Sequence, residues 1–136
     1  MKHLRKFNES FEESIKKDIE DILIDFSDRH IPLLVRQTTV DRKTVCSIAL
    51  GDEYADTDMI SIIPSDNEDE FLRVFEYMKD NGYEFSSMSY DFGGSIIILK
   101  AVDIEKTFGS GMDAVYNQLF NGVDETCYLK LFFRKR

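Results

Sequence analysis

The sequence predicts an α+β domain built on an antiparallel sheet of five to six strands, with helices mainly on one face. Three observations predict this class. The 136 residues suit a single domain with one core. The apolar period changes between that of a helix and that of a strand along the chain. The resulting order of elements, α-β-β-β-α-β-β-α-β, lacks the regular strand–helix–strand alternation of parallel sheets.

The first predicted helix covers residues 9–28. Asn8 or Ser10 can cap its start, and Pro32 prevents its continuation. Apolar side chains recur along it with the spacing of one helix face, so we expect this face to pack on the sheet. These side chains are Phe11, Ile15, Ile19, Ile22, Leu23 and Phe26.

Two strands joined by a tight turn follow the first helix. Residues 31–40 and 44–50 are rich in β-branched side chains, and residues 41–43 between them predict a hairpin turn. An acidic loop is predicted at 51–58. Residues 59–63 then predict a third short strand, because a proline follows directly and stops it.

The next part of the chain predicts a second helix followed by a second hairpin. The helix begins at residue 65 or 66 and ends at Asn81 and Gly82, a pair that favours a left-handed cap. Residues 83–92 and 95–102 predict a hairpin around a Gly-Gly turn. We interpret this doubling of a helix-plus-hairpin unit as architecture, since the two units share no residue-level identity.

A third helix and a last strand complete the predicted domain. Residues 112–120 predict the helix, with glycines before and after it. Residues 125–134 predict a strand that is apolar on both faces. A basic arm at 1–8 and a basic tail at 134–136 flank this single predicted domain.

Charge is distributed unevenly along the chain. Residues 44–99 carry twelve acidic side chains and two basic ones, although the net charge of the whole chain is only −9. We predict that these acids form an acidic face that binds a partner. The predicted partner-binding acids are Asp52, Glu53, Asp56, Asp58, Asp66, Glu68, Asp69 and Glu70. A second predicted partner-binding surface is a sheet edge formed by Tyr83, Phe85, Tyr90 and Phe92.

The sequence contains only fragments of catalytic and metal-binding motifs. Asp56 and Asp58 keep the alternation of a calcium-binding loop, but its glycine and its distant glutamate are missing. Gly109 and Gly111 precede a helix as in phosphate-binding loops, but the nearby Lys106 lies on the wrong side of them. There is no Glu-x-Lys pair and no Gly-x-Ser-x-Gly elbow. We therefore predict no catalytic residues, no metal ligands and no cofactor.

The cysteines and the apolar runs predict where the protein resides. Cys46 and Cys127 lie far apart without metal-ligand spacing, which favours two buried thiols in a reducing compartment. No apolar run has the length of a signal-peptide core or of a membrane span. We therefore predict a cytoplasmic protein that does not bind membranes.

The predicted order of elements and the pI of about 4.7 resemble those of the class I type III secretion chaperones and the similarly folded YbjN-like regulators. The resemblance covers residues 9–120. It implies a non-enzymatic dimer that wraps an extended partner segment across sheet edges and apolar patches. The opening MKHLRKFNESF is similar to the start of many small proteins of large tailed bacteriophages and related bacteria. For a viral protein, this resemblance implies the host cytoplasm as its location.

Three hypotheses for function follow. We favour a chaperone- or adaptor-like protein that binds a protein partner, with a second copy of itself as one such partner. We expect no direct binding of nucleic acid, because the acidic excess opposes phosphates. The alternative is an acidic mimic of nucleic acid that inhibits a DNA- or RNA-binding protein. The second alternative is a small metal- or phosphate-dependent enzyme at Asp56, Asp58 and the 109–111 turn.

Overall fold

The computed structural model describes residues 14–109 and 111–136. The predicted basic arm at 1–8 and the predicted helix caps Asn8 and Ser10 lie outside the described residues. The described elements are α1 (14–22), α2 (Ile24–Asp28), β1 (Leu33–Val40), β2 (Lys43–Gly51), a 3-10 turn (Pro64–Asn67), α3 (Glu68–Asp80), β3 (Tyr83–Phe92), β4 (Ser95–Lys100), α4 (Ala101–Phe108), α5 (Met112–Asn117), a π-helical turn (Gln118–Gly122) and β5 (Tyr128–Lys135).

The five strands form one antiparallel sheet in the order β1-β2-β5-β3-β4. β5 lies in the middle of the sheet and pairs with β2 on one side and with β3 on the other. Leu131, at its centre, lies opposite Ile48 of β2 and Met88 of β3. Each helix-plus-hairpin unit therefore supplies two neighbouring strands, and the C-terminal strand joins the two hairpins.

One face of the sheet, the helical face, packs against the helices. Strand side chains at alternate positions point toward it and meet the apolar sides of the helices. Its buried strand residues are Val35, Cys46, Ile48, Leu50, Tyr83, Met88, Leu129, Leu131 and Phe133. The buried helix residues are Ile15, Ile19, Leu23, Phe26, Phe71, Val74, Phe75, Met78, Ile104, Ala114, Val115 and Leu119.

The segment that follows β2 is tied to the start of β5. The amide of Asp52 donates a hydrogen bond to the carbonyl oxygen of Cys127 at 3.0 Å. Ile62 and Thr126 exchange two backbone hydrogen bonds, of 2.8 and 2.9 Å. Gly51 adopts a φ of 86°, and a Cβ there would overlap the carbonyl oxygen of Cys127. The close approach of Gly51 to Cys127 therefore requires glycine, both for its backbone angle and for its lack of a side chain.

The α+β class, the antiparallel sheet and, in outline, the order of elements are confirmed. The predicted hairpin of β3 and β4 turns at Gly93 and Gly94, whose φ angles are 60° and 91°. The β1–β2 turn is shorter than predicted. It consists of Asp41 and Arg42, since Lys43 already pairs with Val40.

Three predictions about local structure are wrong. Residues 59–63 form no strand, and Ile62 makes an isolated bridge to Thr126, because the strand that continues from there, β5, begins only at Tyr128. The first helix is interrupted at Leu23, a break that leaves both Leu23 and Phe26 fully buried. The second hairpin ends at Lys100, and the next residues begin α4, which buries Ile104 in the core.

The C-terminal residues are part of the sheet. Arg134 and Lys135 belong to β5, and the amide of Arg136 donates to the carbonyl oxygen of Gly82 at 2.9 Å. The guanidinium of Arg136 also donates to the carbonyl oxygen of Lys79 at 3.2 Å. The basic tail predicted at 134–136 is thus held by backbone pairing.

Replacing Gly51 with alanine should destabilise the fold more than replacing Gly82. The two glycines have nearly equal φ angles, 86° and 84°, but a Cβ at Gly82 meets no atom within 4 Å. We expect Gly82→Ala to cost about 1–2 kcal/mol of unfolding free energy from backbone strain. Gly51→Ala should cost about 2 kcal/mol more, because the Cys127 carbonyl must move. Urea denaturation of both variants measures this difference. Equal losses of unfolding free energy would contradict the importance of the close contact between Gly51 and Cys127.

Candidate partner-binding surfaces

The acidic residues predicted from the sequence fall into two groups at one end of the sheet. The first group follows β2, and the second begins in the 3-10 turn and continues into α3. The backbone hydrogen bonds from Asp52 to Cys127 and between Ile62 and Thr126 hold both segments beside the start of β5. We call this set of exposed or half-exposed side chains the acidic end: Asp52, Glu53, Asp56, Asp58, Asp66, Glu68, Asp69 and Glu70.

Carboxylates from separate elements converge on one thiol near the acidic end. Burial raises the pKa of Cys127, and the negative charges of Asp91, Asp56 and Asp52 raise it further. The Sγ of Cys127 donates to the carbonyl oxygen of Ala55 at 3.1 Å. The loop after β2 and the end of β3 thus contribute charge to the same region.

Two acids of the loop after β2 hold its backbone in shape. Oδ1 of Asp52 accepts a hydrogen bond from the amide of Tyr54 at 2.9 Å. Oδ1 of Asp56 accepts from the amides of Asp58 and Met59 at 3.1 and 3.2 Å. These turns leave the carboxylates exposed to solvent while fixing their positions.

The residues of the predicted enzyme alternative occupy two different connections. Asp56 and Asp58 lie in the loop after β2, whereas Gly109 and Gly111 join α4 to α5. Both glycines have positive φ angles, 105° and 94°, which suit a tight connection between two helices. Across residues 14–109 and 111–136, no three His, Cys, Asp or Glu side chains are arranged to hold a metal ion.

The aromatic residues predicted at a sheet edge lie on β3, which is an interior strand. The edge strands of the sheet are β1 and β4, so the prediction that β3 is an edge strand is wrong. Residues 83–86 nevertheless pair only with β5, because β4 pairs with residues 87–92. Tyr83 is 1% exposed, and its hydroxyl accepts a hydrogen bond from Nε2 of Gln37 at 2.9 Å. Phe85 and Tyr90 are partly buried against the core, whereas Phe92, at the strand end, is 68% exposed.

The opposite face of the sheet, the open face, is covered by none of the described helices. Every second side chain of β5 rises from it. We call these four side chains the ridge: Tyr128, Lys130, Phe132 and Arg134. The neighbours of the ridge are small, since Ser47 and Ser87 flank Phe132, and Ala49 and Ser89 flank Lys130.

Two grooves run along the sides of the ridge. The groove over β2 has a volume of about 450 Å³, and its lining includes Arg36 on the outer wall and Glu53 at one end. The groove over β3 has a volume of about 400 Å³ and lies between Arg134 and Lys100, above Ser87. Both grooves therefore have basic side chains within reach of their floor.

Basic side chains gather on the part of the open face away from the acidic end. We call this set the basic half: Arg36, Lys43, Lys100, Lys130 and Arg134. Among the described open-face strand positions of this half, Glu84 is the one acid, and it pairs with Arg134 at 3.3 Å. The Nζ of Lys130 lies 4.9 Å from the ring centroid of Phe132, so this ring offers a face to a charged group.

The sequence reasoning missed the basic half because its five members come from four different strands. The net negative charge of the chain also gave no indication of a basic surface. One signal was present in the last strand, where residues 128, 130, 132 and 134 are alternately aromatic and basic. The residues between them are apolar and enter the core, so a period of two separates the two faces.

No protein-family model, curated protein or solved structure matches the chain. Within the described parts of the chain, no helix is both long and apolar enough to cross a membrane. Function is therefore inferred from the acidic end and the open face.

Stability should fall at alkaline pH because of a buried thiol on the helical face. Burial raises the pKa of Cys46 from 9.0 to about 11. The unfolded chain then loses this proton at lower pH than the folded chain, so the free energy of unfolding declines between about pH 9 and 11. The contribution of Cys46 is at most about 3 kcal/mol. Urea denaturation across this range should show a shallower decline for Cys46→Ala, and parallel declines would contradict the assignment.

Proposed function

We propose that this protein is a non-enzymatic, adaptor-like binding protein that uses two surfaces of opposite charge. Its acidic end binds a basic protein surface, and the basic half of its open face binds an anionic partner. The observation that supports this most is the segregation of charge. In a chain of net charge −9, five basic side chains lie on one sheet face, from the level of Lys130 to the far end of β2 at Lys43.

Exposed apolar area on the open face supports docking there. Leu34, Ile96 and Ile98 are 47%, 41% and 63% exposed on this face. With the half-buried Phe132 they give the open face apolar contacts in addition to charge. Leu34 lies on the edge strand β1 and Ile96 and Ile98 on the opposite edge strand β4, and covering such area contributes about 25 cal/mol per Å² to binding.

The acidic end supports binding of a basic partner. The carboxylates of Asp52 and Asp56 are held by turns, and Glu68, Asp69 and Glu70 lie in the first turn of α3, where the helix dipole favours negative charge. Preorganised charge of one sign steers an oppositely charged surface and speeds association. A chaperone-like role, a cytoplasmic location and a host-cell setting belong to the same proposal.

Two double variants should separate the two binding surfaces. We expect Glu68→Gln/Asp69→Asn to lose captured basic proteins and Arg36→Gln/Lys100→Gln to lose anionic partners, because each pair removes charge from one surface only. Quantitative mass spectrometry and nucleic-acid staining of material captured from native cells measure both classes. Thermal denaturation first checks the fold, since each helix-start substitution should cost about 1 kcal/mol or less.

The matched control is Lys16→Gln, which removes an exposed charge from α1. Its capture profile should equal that of the unmodified protein. Identical profiles for both double variants and the control would rule out the proposed use of these surfaces.

A second candidate function, mimicry of nucleic acid, is favoured by the shared position of the acidic-end carboxylates. An inhibitor of this kind would occupy the basic groove of a nucleic-acid-binding protein. We then expect captured proteins to be displaced by added DNA and released by salt of about 0.5 M, since such contacts are screened. Basic partners that DNA does not displace would contradict mimicry and leave the adaptor proposal standing.

A further inference from the structure

Resting on the proposed function, we propose that the anionic partner of the basic half is a single-stranded nucleic acid. One of its bases stacks on Phe132, and its backbone crosses the strands between Arg36 and Lys100. This places direct nucleic-acid binding on a protein whose average charge opposes it.

The register of the sheet puts the required groups in one row. Phe132 lies opposite Ser47 and Ser87, whose outer neighbours are Arg36 and Lys100. Strands are about 4.8 Å apart, so each cation starts about 10 Å from the aromatic ring. A single strand crossing the sheet can therefore contact a cation on each side of a stacked base.

The surroundings of Phe132 leave room for a base. The flanking serines are small, and the two grooves beside the ridge have volumes of about 450 and 400 Å³. The Nζ of Lys130 lies 4.9 Å from the ring centroid, so a stacking base would take the place of this ammonium group, which is then free to contact a phosphate. The half-buried Ser87 beside the ring has a hydroxyl that can donate to or accept from a base edge, whereas Ser47 is buried.

The acidic end opposes this contact only weakly. Glu53 lies near the phenol of Tyr128, whose pKa is raised first by burial and then by this charge. Tyr128 is four residues from Phe132 along the strand, a separation of about 13 Å. That separation exceeds the Debye length of about 8 Å at physiological salt, so exposed charges there are largely screened.

An unpaired strand fits this surface better than the other anionic partners. Stacking on a side chain requires a base that is free of its own helix, which a duplex does not provide. An acidic peptide would satisfy the cations but would not use the flat ring between them. The combination of ring and cations therefore favours single-stranded DNA or RNA.

Fluorescence anisotropy with labelled oligo(dT) and oligo(rU) tests the proposal. If four side chains of the basic half contact phosphates, the logarithm of the binding constant should fall with the logarithm of the salt concentration with a slope of about −3. Arg36→Gln/Lys100→Gln should reduce the magnitude of this slope by about 1.4. Phe132→Leu should weaken binding at least about fivefold at every salt concentration with the slope unchanged, because it removes stacking and no charge.

Three further arms complete the experiment. Phe132→Tyr should keep the affinity, and Lys16→Gln should change neither affinity nor slope. A duplex of equal length should bind more weakly. Retained affinity in Phe132→Leu, or no binding of either oligonucleotide, overturns the proposal.

Failure of this inference can be told apart from failure of the proposed function. Binding of poly-glutamate but not of oligonucleotides, lost in Arg36→Gln/Lys100→Gln, refutes the nucleic acid and keeps the anionic partner. If neither probe binds and both double variants capture the same cellular partners as the unmodified protein, both proposals fall.

Discussion

The structure depends on the pairing of β5 between two hairpins. A two-stranded hairpin is marginal by itself, and each hairpin here gains a third strand only when the end of the chain reaches it. β5 brings Leu129, Leu131 and Phe133 into the core and raises the ridge on the opposite face. A shift of one residue would exchange these two sets, so burial of the apolar set fixes the position of the ridge.

The same constraint explains how the charges become separated. An antiparallel sheet places the end of β2 beside the start of β5, and there the acidic loop is held by the Asp52 and Ile62 hydrogen bonds. The opposite ends of these strands carry Lys43 and Arg134. Because α3 runs back along the sheet before β3, its acidic first turn also lies at the acidic end. A small domain thus acquires charge of opposite sign on two surfaces, which composition alone describes only as acidic.

The local predictions succeeded where short-range physics decides the outcome. The Gly-Gly turn, the amphipathic helix before it and the first hairpin each follow from backbone preferences within a few residues. The strand predicted at 59–63 failed because sheet pairing depends on partners, and there Ile62 alone finds one. The edge predicted at β3 failed for a related reason. Nothing within 83–92 reveals that β5 would pair with its free side.

The sequence by itself determined the class of fold and the main helices and hairpins. These features depend on neighbours in the chain, whose distances are fixed by covalent geometry. Only the tertiary structure decided which strands lie at the edges, that Gly51 must pass against Cys127, and that Arg36, Phe132 and Lys100 share a row. Those features depend on strand order, which is selected by burial of the whole core and cannot be seen in any single segment.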